Sequence, residues 1–398
     1  MPVTDEMRST TSTARRPSDR DPWRIWFPVV LVGVLVLAVV SVRWGTAAIL
    51  SNTEGNLVRT VDDPSEPGYE AIVEPTPVLV VAVTTEQGQL GAALLASLAG
   101  SSTGGVIVVS PETLVSADGQ AASSDGTLAD RWESGGLDAV REAVSDLLNV
   151  GVGDSRHIAA DQWQALVDPV APLQIENPDG ITGASGVTYA AGTVTLEASE
   201  VVDYLDARSR GESDLNRMIR QQQFWAAWLA SVGRNLADPA VVPGESDTGL
   251  GKFVRSLAAV EVEFATLPVR STSSGLQPEP EAVAELVARI VPFPVGASPE
   301  SRVRIRILDG TGRLANGLGS VPLFVAVGAE VATLGNATTF TYGVTQFIVA
   351  ADGDLAEAEA LRDALGVGEI VTSSEQASAV DVTVVLGSDA VPLIGGSS

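Results

Sequence analysis

The chain has 398 residues, a formal net charge of −26, one histidine and no cysteine. Its length allows two or three domains, each with its own core. The acidic charge argues against a nucleic-acid partner, because nucleic-acid binders present a basic surface. The absence of cysteine excludes disulfides and zinc–thiolate sites, and the single histidine, His157, excludes a multi-histidine metal site. The sequence therefore predicts no metal ligands.

The N-terminal part contains a polar segment followed by an apolar one. Residues 1–24 are rich in Ser, Thr and Arg, which predicts a disordered tail. Residues 25–42 carry no charge and, at about 1.5 Å per residue, are roughly long enough to form a transmembrane helix. Arginines before this segment favour a cytoplasmic N-terminus. We expect a single-pass protein of the cell membrane with its C-terminal domains outside; a cleaved signal peptide is the alternative.

The segment 45–77, with its Asn, Glu, Asp and Pro residues, is interpreted as a stalk. In residues 78–295, short β-branched runs alternate with helical patterns, which predicts a layered α/β domain. Residues 137–148 have a helical period, and residues 260–267 alternate in the manner of an edge strand. The apolar runs at 78–83, 90–98 and 106–109 are continuous rather than alternating. Such runs indicate strands that are covered on both faces.

Three prolines and a glycine in residues 291–300 mark a second boundary. Residues 301–388 have the size of a small domain and combine strand and helix patterns, so a second, C-terminal α/β domain is expected. In this domain, residues 310–312 form a Gly-Thr-Gly turn. The turn is too short a motif to indicate phosphate binding, and a strand-to-helix connection accounts for it.

Residues 206–229 are the most informative stretch, because four arginines fall within thirteen residues of an otherwise acidic chain. Ser213 can cap a helix, since apolar residues recur after it with a period near 3.6. Arg208 and Arg210 alternate before this cap, so an extended backbone at a strand end would direct both to one side. Arginine forks match phosphate oxygens, and the cluster suits a diphosphate. The alternative is that these arginines form solvated ion pairs with nearby acidic residues.

This stretch resembles the LytR-CpsA-Psr family, whose members show R-x-R, a short gap and D-x-x-R-x-x-R-Q at this point. The pattern is carried here by Arg208, Arg210, Asp214, Arg217, Arg220 and Gln221. Residues 128–168 are similar to the family's double-glycine helix region, and residues 303–387 resemble the LytR C-terminal domain. The resemblance implies a LytR-CpsA-Psr-like α/β domain followed by a smaller LytR C-terminal-like α/β domain.

The resemblance also implies a function. Family members transfer a glycan or anionic polymer from a polyprenyl diphosphate carrier to peptidoglycan outside the membrane. Carboxylates hold Mg²⁺ on the diphosphate while arginines neutralise its remaining charge. The six residues of the pattern are therefore the implied substrate-binding residues, with Asp214 expected to hold Arg217 and Gln221 expected to orient the diphosphate.

The chain departs from the family at the metal-site motifs. Where the family has D-S-R, R-S-D-T and I-P-R-D, this chain has Val83–Glu86, Gln89–Ala92 and Ser110–Thr113. Glu86 and Glu112 are the nearest carboxylates, and no catalytic residue is assigned. Two hypotheses remain: a protein that binds lipid-linked precursor or envelope-assembly proteins with weakened or lost catalysis, which is slightly favoured, and an active, Mg²⁺-dependent phosphotransferase.

Two tryptophans and the histidine have more ordinary interpretations. Trp225 and Trp228 are interpreted as core residues, and lining a polyprenyl groove is the alternative. His157 is interpreted as a structural or surface residue rather than a catalytic base, because the sequence places no partner beside it.

Overall fold

A computed structural model describes residues 61–116, 126–209, 212–243, 247–350, 355–374 and 379–394. The predicted tail, the predicted transmembrane helix and the predicted stalk up to residue 60 lie outside these ranges. Within them, no helix combines the length and the apolarity that a bilayer span requires.

The chain folds into alternating strands and helices, which confirms the predicted α/β class. The strands are β1 (Glu70–Ile72), β2 (Val78–Thr84), β3 (Leu90–Ala99), β4 (Thr103–Val109), β5 (Leu114–Val115), β6 (Gly126–Thr127), β7 (Asp154–Ile158), β8 (Leu173–Asn177), β9 (Ile181–Thr182), β10 (Thr188–Tyr189), β11 (Gly192–Leu196), β12 (Glu261–Thr266), β13 (Val269–Ser271), β14 (Leu276–Pro278), β15 (Val303–Asp309), β16 (Ala329–Asn336), β17 (Gln346–Ala350), β18 (Glu369–Ser373) and β19 (Val382–Leu386). The helices are α1 (Leu128–Leu148), α2 (Trp163–Val167), α3 (Val201–Asp206), α4 (Asp214–Arg234), α5 (Gly249–Ala258), α6 (Pro280–Ile290), α7 (Leu314–Ala326), α8 (Leu355–Leu365) and α9 (Val391–Ile394).

The first sheet has five strands in the order β12–β4–β3–β2–β7. Strand β3 is antiparallel to both neighbours, whereas β2, β4, β7 and β12 run parallel to one another. One apolar core packs α4 and α5 against one face, and a second core packs α1 and α6 against the other. The continuous apolar runs are therefore covered on both faces, as predicted, and the alternating strand β12 lies at the sheet edge, as its pattern indicated.

Helix α1 begins earlier than the pattern at 137–148 predicts. Thr127 caps it through a reciprocal pair of bonds with Asp130, and this cap fixes the start at Leu128. Gly136 has a φ of +62° and bends the helix, a conformation that glycine adopts without steric cost. The double glycine thus lies within the helix rather than before it.

The second sheet has six strands in the order β1–β16–β15–β19–β17–β18. Strand patterns in the sequence of the predicted C-terminal domain predict four of these strands, which are β15, β16, β17 and β19. Strands β18 and β1 were not predicted. Strand β1 comes from the end of the predicted stalk, and it pairs antiparallel with β16. The last part of that segment is therefore built into the sheet.

Several contacts fix β1 to this sheet. Glu70 pairs with Gly335 in the strand register and forms an ion pair with Arg306. The Asn336 backbone amide donates to the Tyr69 carbonyl at 2.7 Å. A Cβ atom at Gly335 would overlap that same carbonyl oxygen, so only glycine allows β1 to approach so closely.

Asn149 joins the end of the segment 291–300 and the two residues after it to helix α1. Its Oδ1 accepts from the Ala297 backbone amide at 3.2 Å. Its Oδ1 also accepts from the Ser301 hydroxyl at 2.7 Å, its Nδ2 donates to the Ser301 carbonyl at 2.7 Å, and its own carbonyl accepts from Arg302 Nε at 2.7 Å. Burial lowers the pKa of the Arg302 guanidinium to about 10, so it stays charged at neutral pH. These contacts tie the predicted boundary to the C-terminal end of α1.

We expect Gly335→Ala to lower the free energy of unfolding by about 1–3 kcal/mol, because the added methyl group pushes β1 away from β16. Denaturant unfolding of the full chain measures this change. Gly343→Ala is the matched control, since a Cβ atom there meets nothing within 4 Å, and its effect should stay within about 0.5 kcal/mol. Equal stability of the two variants would show that β1 contributes nothing to this sheet.

Candidate functional site

The candidate site is built on helix α4, whose start follows from the sequence. Ser213 has extended backbone angles and its side chain accepts from the Asn216 amide at 3.3 Å, so it is the N-cap that was predicted. The helix then runs for 21 residues to Arg234. Its apolar side packs on the first sheet and directs Arg217 towards the start of β3.

Arg217 is buried against the sheet. Only 5% of its surface is exposed, and its Nη2 donates to the Gly91 carbonyl. Burial, followed by repulsion from Arg208, lowers the pKa of Arg217 to about 10. The guanidinium is therefore still charged at neutral pH, and the protein holds a nearly desolvated positive charge at the edge of the sheet.

Arg208 lies beside this charge, but not as predicted. It follows helix α3 in a loop, not a strand, because residues 201–206 are helical. Its Nη2 forms an ion pair with Asp214 Oδ1 at 3.1 Å, and its side chain is about half exposed. Asp214 is therefore paired with Arg208, not with Arg217 as expected, because the first turn of α4 faces the incoming loop. Arg210 lies outside the described residues.

The Arg220 side chain is buried and contacts other residues of the protein. It is 1% exposed, forms an ion pair with Glu212 and donates from Nη2 to the Ala207 carbonyl at 2.6 Å. Its guanidinium carbon lies 5.9 Å from the centre of the Tyr204 ring. These contacts hold the loop between α3 and α4 and occupy both terminal nitrogens of Arg220, whereas its buried Nε has no partner among the described residues. Arg220 also lies close enough to Arg217 for its charge to lower the pKa of that guanidinium.

One face of α4 carries a row of buried polar atoms without hydrogen-bond partners among the described residues. They are Arg217 Nε, Gln221 Oε1 and Trp225 Nε1, each four residues from the next. Leaving a buried donor or acceptor unpaired costs roughly 1–3 kcal/mol, and such groups call for a water, an ion or a ligand. Gln221, which is 2% exposed, thus lies between the arginine and the tryptophans.

The row ends at an apolar cavity of about 210 Å³ between the first sheet and helices α4 and α5. Its lining includes Trp225, Trp228, Leu229, Leu250 and Phe253. Both tryptophans are buried core residues, as expected. They also line this cavity, and a polyprenyl occupant, which was the alternative, stays a prediction. Apolar cavities of this kind stay dry and accept apolar ligands.

One carboxylate, that of Asp206, lies near Arg217. The Asp206 carboxylate accepts from the Glu86 amide at 3.1 Å, and burial raises the pKa of Asp206. Glu112 follows β4, and β3 lies between β4 and β2. Strands β4 and β2 are therefore about 10 Å apart. In the described part of the chain, no three acidic or histidine side chains gather into a metal site. This donor set does not fit the Mg²⁺ site that the family pattern implies.

A second cavity, of about 600 Å³, lies beside the turn after β2 and is lined by both polar and apolar residues. His157 Nε2 and Thr84 Oγ1 are 2.9 Å apart, and the His157 ring centre is 4.9 Å from that of Trp132. Glu86 and Asp161 complete the lining. Sequence reasoning missed this cluster, because the pairing of β2 with β7 brings together residues that are far apart in the chain.

Comparison with protein families identifies the chain. Residues 101–236 match the model of the LytR_cpsA_psr family, and residues 302–389 match the LytR cell envelope-related transcriptional attenuator model. The chain therefore contains a LytR-CpsA-Psr domain followed by a LytR C-terminal domain. The first match spans the arginine stretch. It begins after two of the three segments that depart from the metal-site motifs, and the third, Ser110–Thr113, lies within it. The exact domain boundaries stay a prediction.

The chain is also similar to a curated relative and to solved structures. The cell wall biosynthesis protein LcpA of Corynebacterium glutamicum is 26% identical over 296 residues, and the match covers 64% of this chain and 56% of that protein. TagV of B. subtilis has a TM-score of 0.45 at 13% identity and covers 55% of this chain and 97% of its own. A LytR-Csp2A-Psr enzyme from Actinomyces oris has a TM-score of 0.44 at 15% identity, with coverages of 57% and 96%.

We expect Arg220→Met to lower the free energy of unfolding by about 3–5 kcal/mol, because it leaves the buried Glu212 carboxylate unpaired. Arg208→Met breaks an exposed ion pair and should cost less than about 1 kcal/mol. Denaturant unfolding of both variants tests the difference. If Arg220→Met were as stable as Arg208→Met, Arg220 would not have the structural role assigned to it.

Proposed function

We propose that this chain is a divergent, membrane-anchored protein of cell-envelope assembly that binds a polyprenyl-diphosphate-linked cell-wall precursor, with weakened or lost catalysis. Its partners are then the lipid-linked glycan or anionic polymer, the membrane and peptidoglycan, and envelope-assembly proteins are further candidates. The observation that carries the proposal is the row along α4, which connects a buried guanidinium to an apolar cavity.

The polar end of the row fits a diphosphate. Arg217 and Arg208 supply two positive charges in neighbouring positions, and Arg217 Nε lacks an acceptor. A desolvated guanidinium binds phosphate oxygens strongly, because its hydrogen bonds are charge-assisted and face little competition from water. The exposed Arg208–Asp214 pair is weak and can open for such a ligand.

The apolar end of the row fits a hydrocarbon tail. From Arg217 to Trp228 the helix rises about 16 Å at 1.5 Å per residue, and the cavity beyond is lined almost entirely by apolar side chains. Each buried CH₂ group contributes about 0.8 kcal/mol. A ligand with a charged head and a long apolar tail therefore matches both ends of this face, whereas a soluble nucleotide or sugar phosphate matches only one.

Binding of geranylgeranyl diphosphate to the full chain in detergent tests the proposal. We expect Arg208→Ala to weaken binding about threefold to tenfold, because contacts of a half-exposed charge contribute about 1 kcal/mol. Arg208→Ala/Arg217→Met should weaken it more than about thirtyfold, because the charged hydrogen bonds of the buried Arg217 contribute about 1.5–3 kcal/mol. The single variant changes an exposed residue, so it reports on binding even if Arg217→Met impairs folding.

Arg289→Ala/Arg362→Ala is the matched control, since both arginines form exposed ion pairs elsewhere. This control removes two positive charges, as Arg208→Ala/Arg217→Met does, and it should bind the lipid like the wild type. Geranylgeraniol lacks the diphosphate, so Arg208→Ala should not change its binding affinity. Equal losses in the control and in Arg208→Ala would reduce the effect to overall charge and would contradict the proposal.

The alternative is an active phosphotransferase, and one observation favours it. The Asp206 carboxylate lies close enough to Arg217 to interact with its charge, where a reaction on the diphosphate would take place. Release of polyprenyl phosphate from a lipid-linked glycan, measured with and without Mg²⁺, separates the two functions. Turnover that Asp206→Asn abolishes would establish the transferase, and the absence of turnover with intact lipid binding would establish the binder.

A further inference from the structure

A cavity of about 210 Å³, hereafter the junction cavity, lies between helices that belong to the two sheets. Its walls come from the end of α1 and the start of α6, which pack on the first sheet, and from the end of α7, which packs on the second. Helices α1 and α6 cover the face of the first sheet opposite to α4. The junction cavity is therefore separate from the arginine site.

An acid and a base line this cavity, Asp146 and Arg302. Hydrogen bonds hold the Arg302 guanidinium at the wall, because Nε donates to the Asn149 carbonyl at 2.7 Å and Nη1 to the Val325 carbonyl at 3.3 Å. Asn149 and Val325 are themselves lining residues. Asp146 precedes Asn149 by three residues, about 4.5 Å along the helix axis. The two opposite charges therefore belong to the same end of the cavity.

The protein neutralises neither charge. In the described part of the chain, Asp146 and Arg302 take part in no ion pair. Glu330 is the carboxylate whose charge acts on Arg302, and it is already paired with Arg304. Burial, followed by repulsion from Glu142, raises the pKa of Asp146, and burial lowers the pKa of Arg302 to about 10. Poorly solvated charges of this kind favour a ligand that supplies counter-charges.

The size and the remaining lining restrict that ligand. An apolar cavity of about 150 Å³ holds benzene, so the junction cavity admits a molecule of roughly ten non-hydrogen atoms. Leu148, Val283 and Val325 present buried hydrocarbon surface to it. Asp146 repels an anion and Arg302 repels a cation, so a ligand with a single charge satisfies one group at the expense of the other. An α-amino acid with an apolar side chain carries both charges and an apolar body.

We propose that the junction cavity binds a small zwitterionic amino acid with an apolar side chain. Asp146 accepts hydrogen bonds from the ammonium group, Arg302 donates to the carboxylate, and the side chain packs on Leu148 and Val283. Because this ligand contacts α1, α6 and α7, it stabilises the packing between the helices of the two sheets. The site is independent of the proposed lipid site and adds a second ligand to the protein.

Ligand-observed NMR of the full chain in detergent tests the proposal with L-leucine and D-leucine. Two analogues test the charges: 3-methylbutylamine lacks the carboxylate, and 4-methylpentanoate lacks the ammonium group. We expect one leucine enantiomer or both to bind at least about tenfold more tightly than either analogue, because each analogue leaves one buried charge unpaired. Equal binding of leucine and its analogues would reduce the site to an apolar cavity and overturn the proposal, as would the absence of leucine binding.

Variants of the cavity locate the binding. Asp146→Asn should weaken leucine binding at least about fivefold, because a charged acceptor forms the stronger hydrogen bond, and it should bind 4-methylpentanoate at least as well as the wild type. Ala284→Leu fills the cavity without a change of charge and should abolish leucine binding. Asp138→Asn removes an exposed carboxylate of α1 outside the cavity and is the matched control.

A second measurement separates a loss of binding from a loss of folding. Leucine should raise the free energy of unfolding of the wild type and of Asp138→Asn, because a ligand that binds the folded state stabilises it. The same concentration should leave Asp146→Asn and Ala284→Leu nearly unchanged, although both still unfold cooperatively. Equal stabilisation of all four proteins by leucine would place its binding site elsewhere and would overturn the proposal.

Discussion

The burial of one positive charge organises this end of the molecule. Arg217 reaches from α4 to the Gly91 carbonyl at the start of β3, and it stays charged although little of it contacts water. A buried charge is costly unless it is paired or hydrogen-bonded, and its Nε has no acceptor among the described residues. An anion that completes its hydrogen bonds would relieve this cost, which is why the site is better suited to phosphate oxygens than to an apolar group.

Two cavities with different linings lie at this end of the sheet. On the α4 face, a guanidinium, an amide and an indole lead to an apolar cavity, an order that matches a lipid with a charged head. Beyond the turn after β2, carboxylates and an aromatic ring line a cleft that repels anions. The LytR-CpsA-Psr domain thus presents two chemically different surfaces at one end of its sheet, although its donor set does not fit a metal.

The sequence predicts the local features of this arrangement well. The cap at Ser213 and the helix after it depend on neighbouring residues, and both are found. The sequence could not show that Arg220 forms a buried ion pair with Glu212, because helical spacing does not reveal which arginine the fold buries. Nor could it pair His157 with Thr84, 73 residues away, because strand pairing alone makes that contact. The addition of β1 to a sheet formed by the far end of the chain is non-local for the same reason.

The most direct measurement is photo-crosslinking with a geranylgeranyl diphosphate analogue that carries a diazirine at the end of its tail. The account places the tail in the apolar cavity, so labelled peptides should come from Trp225–Leu229 and from residues 250–257, and excess diphosphate lipid should suppress the labelling. Labelling spread evenly over the chain, or concentrated away from α4 and α5, would contradict the claim that this helix face holds a lipid diphosphate.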